Sequence, residues 1–270
     1  MTRPYSSRWW GLASAAVLLV ALPALAQQPA EQPFEPQVGQ AGKDVVWVPT
    51  PQALVEKMLD MAKLTPQDFH MDLGSGDGRT VITAAKRGAR SLGVEFNPKM
   101  VELSRRNAQA AGVTARATFQ EGDLFQADIS KANVITLFLL PSINMKLRPK
   151  ILELRPGTRI VSNTFSMEDW QADETQTISG DCSSWCTALL WIIPAKVDGT
   201  WKVGQTPLVL TQQFQMLSGT LGSTMITNGR LRGSEVTFTA GNATYAGQVE
   251  GNTIKGMVKG GPGGTFTATR

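Results

Sequence analysis

Met71-Asp-Leu-Gly-Ser-Gly-Asp-Gly-Arg79 is the stretch on which the fold turns. It closes a short strand-like run, Phe69 to Leu73, and opens a helical pattern from Arg79 to Arg87 that Gly88 ends. Glycines at a strand-to-helix turn permit a tight bend and a close approach of backbone to a ligand. Gly74, Gly76 and Gly78 are spaced G-x-G-x-G, whereas the dinucleotide pattern wants its last glycine one place later. Asp72 at the strand end and Asp77 inside the turn also argue against a pyrophosphate. Backbone donors aimed at an anion sit badly beside two carboxylates. A ligand with an ammonium group and no phosphate suits the turn better.

The next two strand ends are acidic as well. Glu95, in Gly93-Val-Glu-Phe-Asn-Pro98, ends a strand from Ser91 and stands 19 residues after Gly76. A carboxylate there can accept from both hydroxyls of a ribose. Asp123, in Glu121-Gly-Asp-Leu-Phe125, follows a strand from Ala115 to Glu121 and can accept from an adenine amino group. Three acidic ends in order lie where open α/β sheets bind ligands, at the carboxyl ends of their strands. Together they point to S-adenosylmethionine. The expected cofactor set is Asp72, Gly74, Ser75, Gly76, Asp77, Gly78, Glu95, Asp123 and Leu124.

Strands and helices alternate around these motifs. Pro51 can open a helix with Leu54, Val55, Met58, Leu59 and Ala62 at helical spacing. Pro98 to Ala111 is helical, Val134 to Leu140 is an apolar strand, and Asn144 to Leu154 is a helix with Pro149 as an awkward interior residue. Strands follow at Thr158 to Asn163, Thr175 to Ser179 and Ala188 to Ile193, the last two as an antiparallel edge hairpin. The expectation is α/β: a doubly wound, Rossmann-like seven-stranded sheet over residues 45–195. After Pro194 the pattern becomes short strands, with Asn228-Gly229, Gly241-Asn242 and Gly251-Asn252 read as turns. Residues 196–270 are expected to form a small all-β meander or barrel, and it is expected to be separable because every cofactor motif lies earlier.

The ends and composition bound the rest. Of 270 residues, 42% are hydrophobic and 18% charged, which is ordinary for a globular protein. Arg3 and Arg8, the apolar Gly11 to Leu22, and Ala24-Leu-Ala26 have the layout of a secretory signal peptide over residues 1–26. The alternative is an uncleaved anchor. Either way the chain is expected on the exported, periplasmic side, with membrane or envelope association through the N-terminal segment or the β-domain. Gln- and Pro-rich residues 27–44 read as a disordered linker. A net charge of +4 and no run of like charges give no sign of nucleic-acid binding. Cys182 and Cys186 can pair only if their loop curls: extended, their Cα atoms would stand roughly 13 Å apart, beyond the ~7 Å limit for a disulfide. A disulfide and two free thiols both stay open. The one histidine, His70, reads as structural, and a zinc site is not expected.

These motifs resemble class I S-adenosylmethionine-dependent methyltransferases. Asp72-Leu-Gly-Ser-Gly-Asp-Gly78, Gly93-Val-Glu95 and Gly122-Asp-Leu124 match that class's first three motifs in order and spacing. More narrowly, the first motif through Arg79, Glu95-Phe-Asn-Pro98 and Phe165-Ser-Met-Glu-Asp-Trp170 resemble the lysine methyltransferases of the ATP synthase c-subunit and the adenine nucleotide translocase, over roughly Val46 to Trp170. Val48-Pro-Thr-Pro51 and Phe138-Leu-Leu-Pro141 are similar to bacterial relatives. The resemblance implies N-methylation of a protein lysine. No general base is evident, so catalysis would rest on proximity and desolvation. Phe138, Phe165, Trp170 and Trp47 are candidates for an apolar slot, and Asn163 for orienting the acceptor. The alternatives are a small-molecule acceptor, or a non-catalytic envelope module that keeps the pocket.

Overall fold

The computed structural model describes residues 1–5, 7, 34–180, 182–261 and 263–270. The apolar segment and cleavage motif of the expected signal peptide lie outside them. Residues 1–33 form a unit apart from Phe34–Arg270, and only the second is treated below. Among the described residues no helix is long and apolar enough to cross a membrane.

The first half is an α/β sheet built from β1 (Phe69–Leu73), β2 (Arg90–Glu95), β3 (Ala117–Glu121), β4 (Val134–Leu137), β5 (Arg159–Asn163), β6 (Glu174–Thr177) and β7 (Thr187–Ile192). Their order is β3-β2-β1-β4-β5-β7-β6. The first five are parallel, and β7 runs antiparallel between β5 and β6. The expected hairpin is there, but its second strand inserts inward and leaves polar β6 at the edge. Burial explains the choice: Ala188, Leu190 and Trp191 of β7 are buried, while β6 has no buried position.

Helices cover both faces. α1 (Gln52–Met61), α2 (Arg79–Lys86) and α3 (Pro98–Ala110) lie on one side, α1 packing Leu54, Met58 and Met61 against Val134, Val161 and Leu190. α4 (Pro141–Leu152) covers the other with Ile143, Leu147 and Ile151. It starts three residues earlier than expected, because Pro141 occupies the first turn, where a missing N–H costs nothing. Pro149 stays inside the helix, one turn from its end.

From Gly199 the chain is a closed eight-stranded up-and-down barrel: β8 (Gly199–Val203), β9 (Thr206–Gln213), β10 (Met216–Leu221), β11 (Thr224–Arg232), β12 (Glu235–Ala240), β13 (Ala243–Glu250), β14 (Thr253–Lys259) and β15 (Gly264–Thr269). Alternate residues point inward, so Trp201, Leu208, Leu231, Val236, Phe238 and Ile254 fill the interior. Asn228-Gly229 is not a turn. It sits inside β11, where the register to β10 and β12 shifts, and a Cβ at Gly229 would collide with the Leu217 carbonyl. Asn-Gly tolerates the left-handed geometry of a bulge as readily as that of a turn, and only strand pairing distinguishes the two.

Sheet and barrel share a seam. Trp170 stacks on Phe214 and donates its Nε1–H to Gln215 Oε1 at 2.9 Å. Asp173, whose side chain is fully buried, accepts from Arg230 at 2.7 Å and from the Ile192 amide at 2.8 Å. The expected separability does not follow from this arrangement. A chain truncated after Pro194 would expose Trp170 and leave Asp173 without its cation. Removing one partner of a buried pair costs about 3–5 kcal/mol, and somewhat less here because Arg230 is half-exposed. The truncated chain should melt well below the full chain, and equal melting temperatures would show the seam to be passive.

Residues 34–44 correct the disordered-linker reading. Ala41 and Val46 form an antiparallel bridge, and Trp47 donates to the Gln40 carbonyl at 2.9 Å. Lys43 reaches Asp123 at 2.7 Å. Polar, Pro-rich composition signals a segment with no core of its own, but it cannot register a partner supplied by the fold.

Candidate active site

A cleft opens at the carboxyl ends of β1, β2 and β4, with the arm from Gln40 to Thr50 across it. Of the expected cofactor residues, Asp72, Gly74, Ser75, Gly76, Asp77, Glu95, Asp123 and Leu124 line it. Gly78 does not. It caps α2 at φ 82°, and a Cβ there would stand 2.8 Å from the Phe119 ring. Its glycine serves close helix-to-sheet packing.

The turn's amides are already paired. Gly74 and Ser75 donate to the Val94 carbonyl at 2.8 and 3.1 Å, Gly76 to Glu95 Oε2 at 3.0 Å, and Gly78 to the Ser75 carbonyl at 2.9 Å. That leaves few donors for a phosphate, in agreement with the two carboxylates beside them. Ser75 Oγ is buried without a partner and lies against Gly93, where an added Cβ would stand 2.5 Å from it, so the serine packs the turn onto β2. Glu95 is anchored by the Gly76 and Asn97 amides, yet each oxygen keeps a lone pair for a hydroxyl.

Asp72 is buried, and burial pushes its carboxyl up to about 7, aided by the nearby Asp77 and Glu95 charges and opposed by the hydrogen bond from Thr136. Thr136 Oγ1 donates to Asp72 Oδ1 at 2.6 Å and in turn faces His70 Nε2 at 2.9 Å, while His70 Nδ1 meets Ser91 Oγ at 2.6 Å. His70 lies inside β1. Burial lowers its imidazole to about 3, so it is neutral near physiological pH. Thr136 therefore accepts from the Nε2–H. Because Thr136 spends its hydroxyl proton on Asp72, the tautomer follows.

Two expected contacts are modified. Asp77 is held by Arg79, whose Nε and Nη2 reach its carboxylate oxygens at 2.6–3.1 Å, while Nη1 donates to the Thr50 carbonyl at 2.9 Å. Arg79 itself lines the cleft, so the turn offers a cation for a carboxylate beside Asp72 for an ammonium. Asp123 accepts from Lys43 and the Phe125 amide, and these hold its carboxyl below the usual carboxylate range. An adenine amine would share Asp123 with Lys43. Arg79 and Lys43 were not legible from motif spacing.

On the acceptor side, Phe138 lines the cleft and stacks on Phe165 with centroids 5.9 Å apart. Trp47 also lines it. Asn163 is fully buried and donates to Thr50 Oγ1 at 3.3 Å, so it reaches the cleft only through Thr50. Trp170 is a correction. It is 1% exposed, lies between Trp191 and Phe214, and is absent from the cleft wall. The hydrogen bond to Gln215 consumes its polar edge, and the barrel it meets was not visible in the Phe165–Trp170 spacing.

Residues 72–174 match the family model described as the ANTKMT methyltransferase domain. A protein-lysine N-methyltransferase of Saccharolobus islandicus is 44% identical over 133 residues, which cover 48% of this chain and 83% of that protein. The chain belongs to this methyltransferase family. The lysine N-methyltransferase of the ATP synthase c-subunit from Mus musculus is 35% identical over 48% of this chain, and the match spans only 52% of the mouse protein. The crystal structure of an RNA methyltransferase from Salinibacter ruber, in complex with S-adenosyl-L-homocysteine, is 48% identical with a TM-score of 0.52, covering 56% of this chain and 96% of that one. As a family member, the chain is an S-adenosylmethionine-dependent methyltransferase, and the paired turn amides and clustered carboxylates fit that cofactor.

The ribose contact gives a direct check. Glu95→Ala should weaken S-adenosylhomocysteine binding by about 1–3 kcal/mol, the size of a lost charged hydrogen bond. Calorimetry on a folded variant measures it, and an unchanged dissociation constant would remove Glu95 from the site.

Proposed function

We propose that this methyltransferase N-methylates a lysine side chain of a protein. The observation that carries the reading is the stacked Phe138–Phe165 pair against a cleft lined by Asp72, Glu95 and Asp123. When bound, S-adenosylmethionine supplies an electrophilic methyl carbon, so the acceptor nitrogen needs only a free lone pair. The chain's own part is to present that lone pair. Phe138 and Phe165 exclude water, and an apolar wall lowers an amine's pKa toward its neutral form. Leu137 and Leu139, both buried, line the same cleft on either side of Phe138 in sequence and keep its wall apolar. Asp72, Glu95 and Asp123 orient the donor, and Asn163 steadies Thr50 at the rim. The names of the archaeal and mouse relatives support the same acceptor.

The Salinibacter relative, named as an RNA methyltransferase, favours a second acceptor, RNA. Incubation of heat-treated lysate with methyl-tritiated cofactor separates the two. Label is expected in the protein fraction and lost in a Phe138→Ala variant. Label confined to RNA or to small molecules would overturn the reading.

Export is also our proposal. The motif over residues 1–26 is its basis, and the Cys182–Cys186 disulfide, with Cα atoms 5.8 Å apart, suits an oxidising compartment. Membrane or envelope association through the N-terminal segment or the barrel belongs to the same proposal. Fractionation with N-terminal sequencing should find a chain beginning at Gln27 outside the cytoplasm; an intact Met1 in the cytoplasm would contradict it.

A further inference from the structure

Beyond Phe138 and Phe165, a third aromatic closes the same place. Trp185 tilts against both rings, with centroids 6.1 Å from Phe138 and 5.3 Å from Phe165. The three come from separate parts of the sheet: the end of β4, the second residue after β5, and the loop between β6 and β7. Their chemistry differs from core packing. Trp170, Trp191 and Trp201 are at most 1% exposed, whereas Trp185 is 41% exposed.

Trp185 is also held against its own preference. Its φ is 59°, a left-handed conformation that a bulky residue rarely adopts. Such strain persists where the surroundings impose it. Here the Cys182–Cys186 disulfide closes the loop around it. A tryptophan that is strained, half in solvent, and stapled over cleft-lining Phe138 and its stacked neighbour Phe165 is positioned for something that arrives from solvent.

We propose that Trp185 is the outer wall of the acceptor entrance and a specificity-determining residue, with the disulfide as its staple. The proposal rests on the lysine reading above. Aromatic faces at the rim attract an alkylammonium group. Phe138, deeper in the cleft, favours the same amine once it has lost its proton to water. The slot therefore admits an unbranched chain with a terminal amine, and Trp185 acts on entry rather than on cofactor binding.

The test uses the full chain. Trp185→Ala should raise KM for lysate protein about tenfold, the scale of one aromatic–cation contact. Turnover at saturation, melting temperature and S-adenosylhomocysteine affinity should stay near wild type. Trp185→Phe should recover most of the loss, and the Cys182→Ser, Cys186→Ser double variant should raise KM in the same direction. A readout independent of turnover is the indole NMR signal of Trp185, assigned by its absence in Trp185→Phe. Titrating Nα-acetyl-lysine amide in the presence of S-adenosylhomocysteine should shift that signal, and the norleucine analogue should not. An unchanged KM in Trp185→Ala, with methyl-lysine still formed, would overturn the inference and leave the lysine reading standing. Loss of stability and cofactor affinity together would also overturn it, by assigning Trp185 to packing. Absence of methyl-lysine from the labelled protein would instead overturn the lysine reading itself.

Discussion

Trp170→Ala should destabilise the protein by roughly 3–5 kcal/mol, the range for truncating a buried large aromatic. The ring fills the space between Trp191 and Phe214, with centroids 6.1 and 5.5 Å away. Its loss opens a cavity at the seam of sheet and barrel. It also strands Gln215, which is 3% exposed and accepts from the indole N–H. A buried acceptor without a donor adds to the cost. Trp170→Phe keeps most of the packing and loses only the hydrogen bond, so it should be the milder variant. Thermal and denaturant unfolding measure both. A Trp170→Ala chain that kept its melting temperature but lost turnover would return the residue to the acceptor slot.

The second large effect is in pH. Asp72's carboxyl is raised from 3.8 to about 7, chiefly by burial. A raised carboxyl pKa means that the folded state binds its proton more tightly than the unfolded chain. The unliganded fold therefore loses stability as pH rises from about 4 to about 7, and carries the whole penalty above that. A shift of that size corresponds to about 4 kcal/mol. A cationic ligand reverses the preference, because it pairs with the ionised form. Affinity for S-adenosylhomocysteine should weaken by up to about tenfold per pH unit as pH falls below 7. Asp72→Asn keeps the acceptor for Thr136 and removes the charge. It should stabilise the unliganded protein at pH 8, weaken binding, and flatten the pH profile. A wild-type profile without a step near 7 would show that Asp72 does not meet the ligand's charge.

The sheet was readable because its signals are local. Asp72, Glu95 and Asp123 each stand at or just past a strand's carboxyl end, and the glycine turn between Leu73 and Arg79 fixes where the first crossover begins. Parallel strands buried on both faces read as apolar runs, and β4 shows this plainly, while β1 interrupts its run with His70 and Asp72. What escaped depends on partners distant in sequence. Lys43 has meaning only beside Asp123, 80 residues away. Asn228-Gly229 could be assigned to a bulge only by its pairing with β10 and β12. Trp170 and Trp185 are both tryptophans close to cleft-side sequence. One is covered by the barrel and the other is raised by a disulfide. The spacing of Phe165 to Trp170 suggested the wrong one, while the flanking cysteines were the available hint to the other.

The central claim is that this cleft delivers a methyl group to a lysine amine. Acid hydrolysis of protein labelled with methyl-tritiated S-adenosylmethionine, followed by amino-acid analysis, tests it most directly. The account predicts label in N-methylated lysine with the wild-type chain, and a strong reduction with Phe138→Ala. Label in another amino acid, or none in protein while the chain still binds S-adenosylhomocysteine, would contradict it.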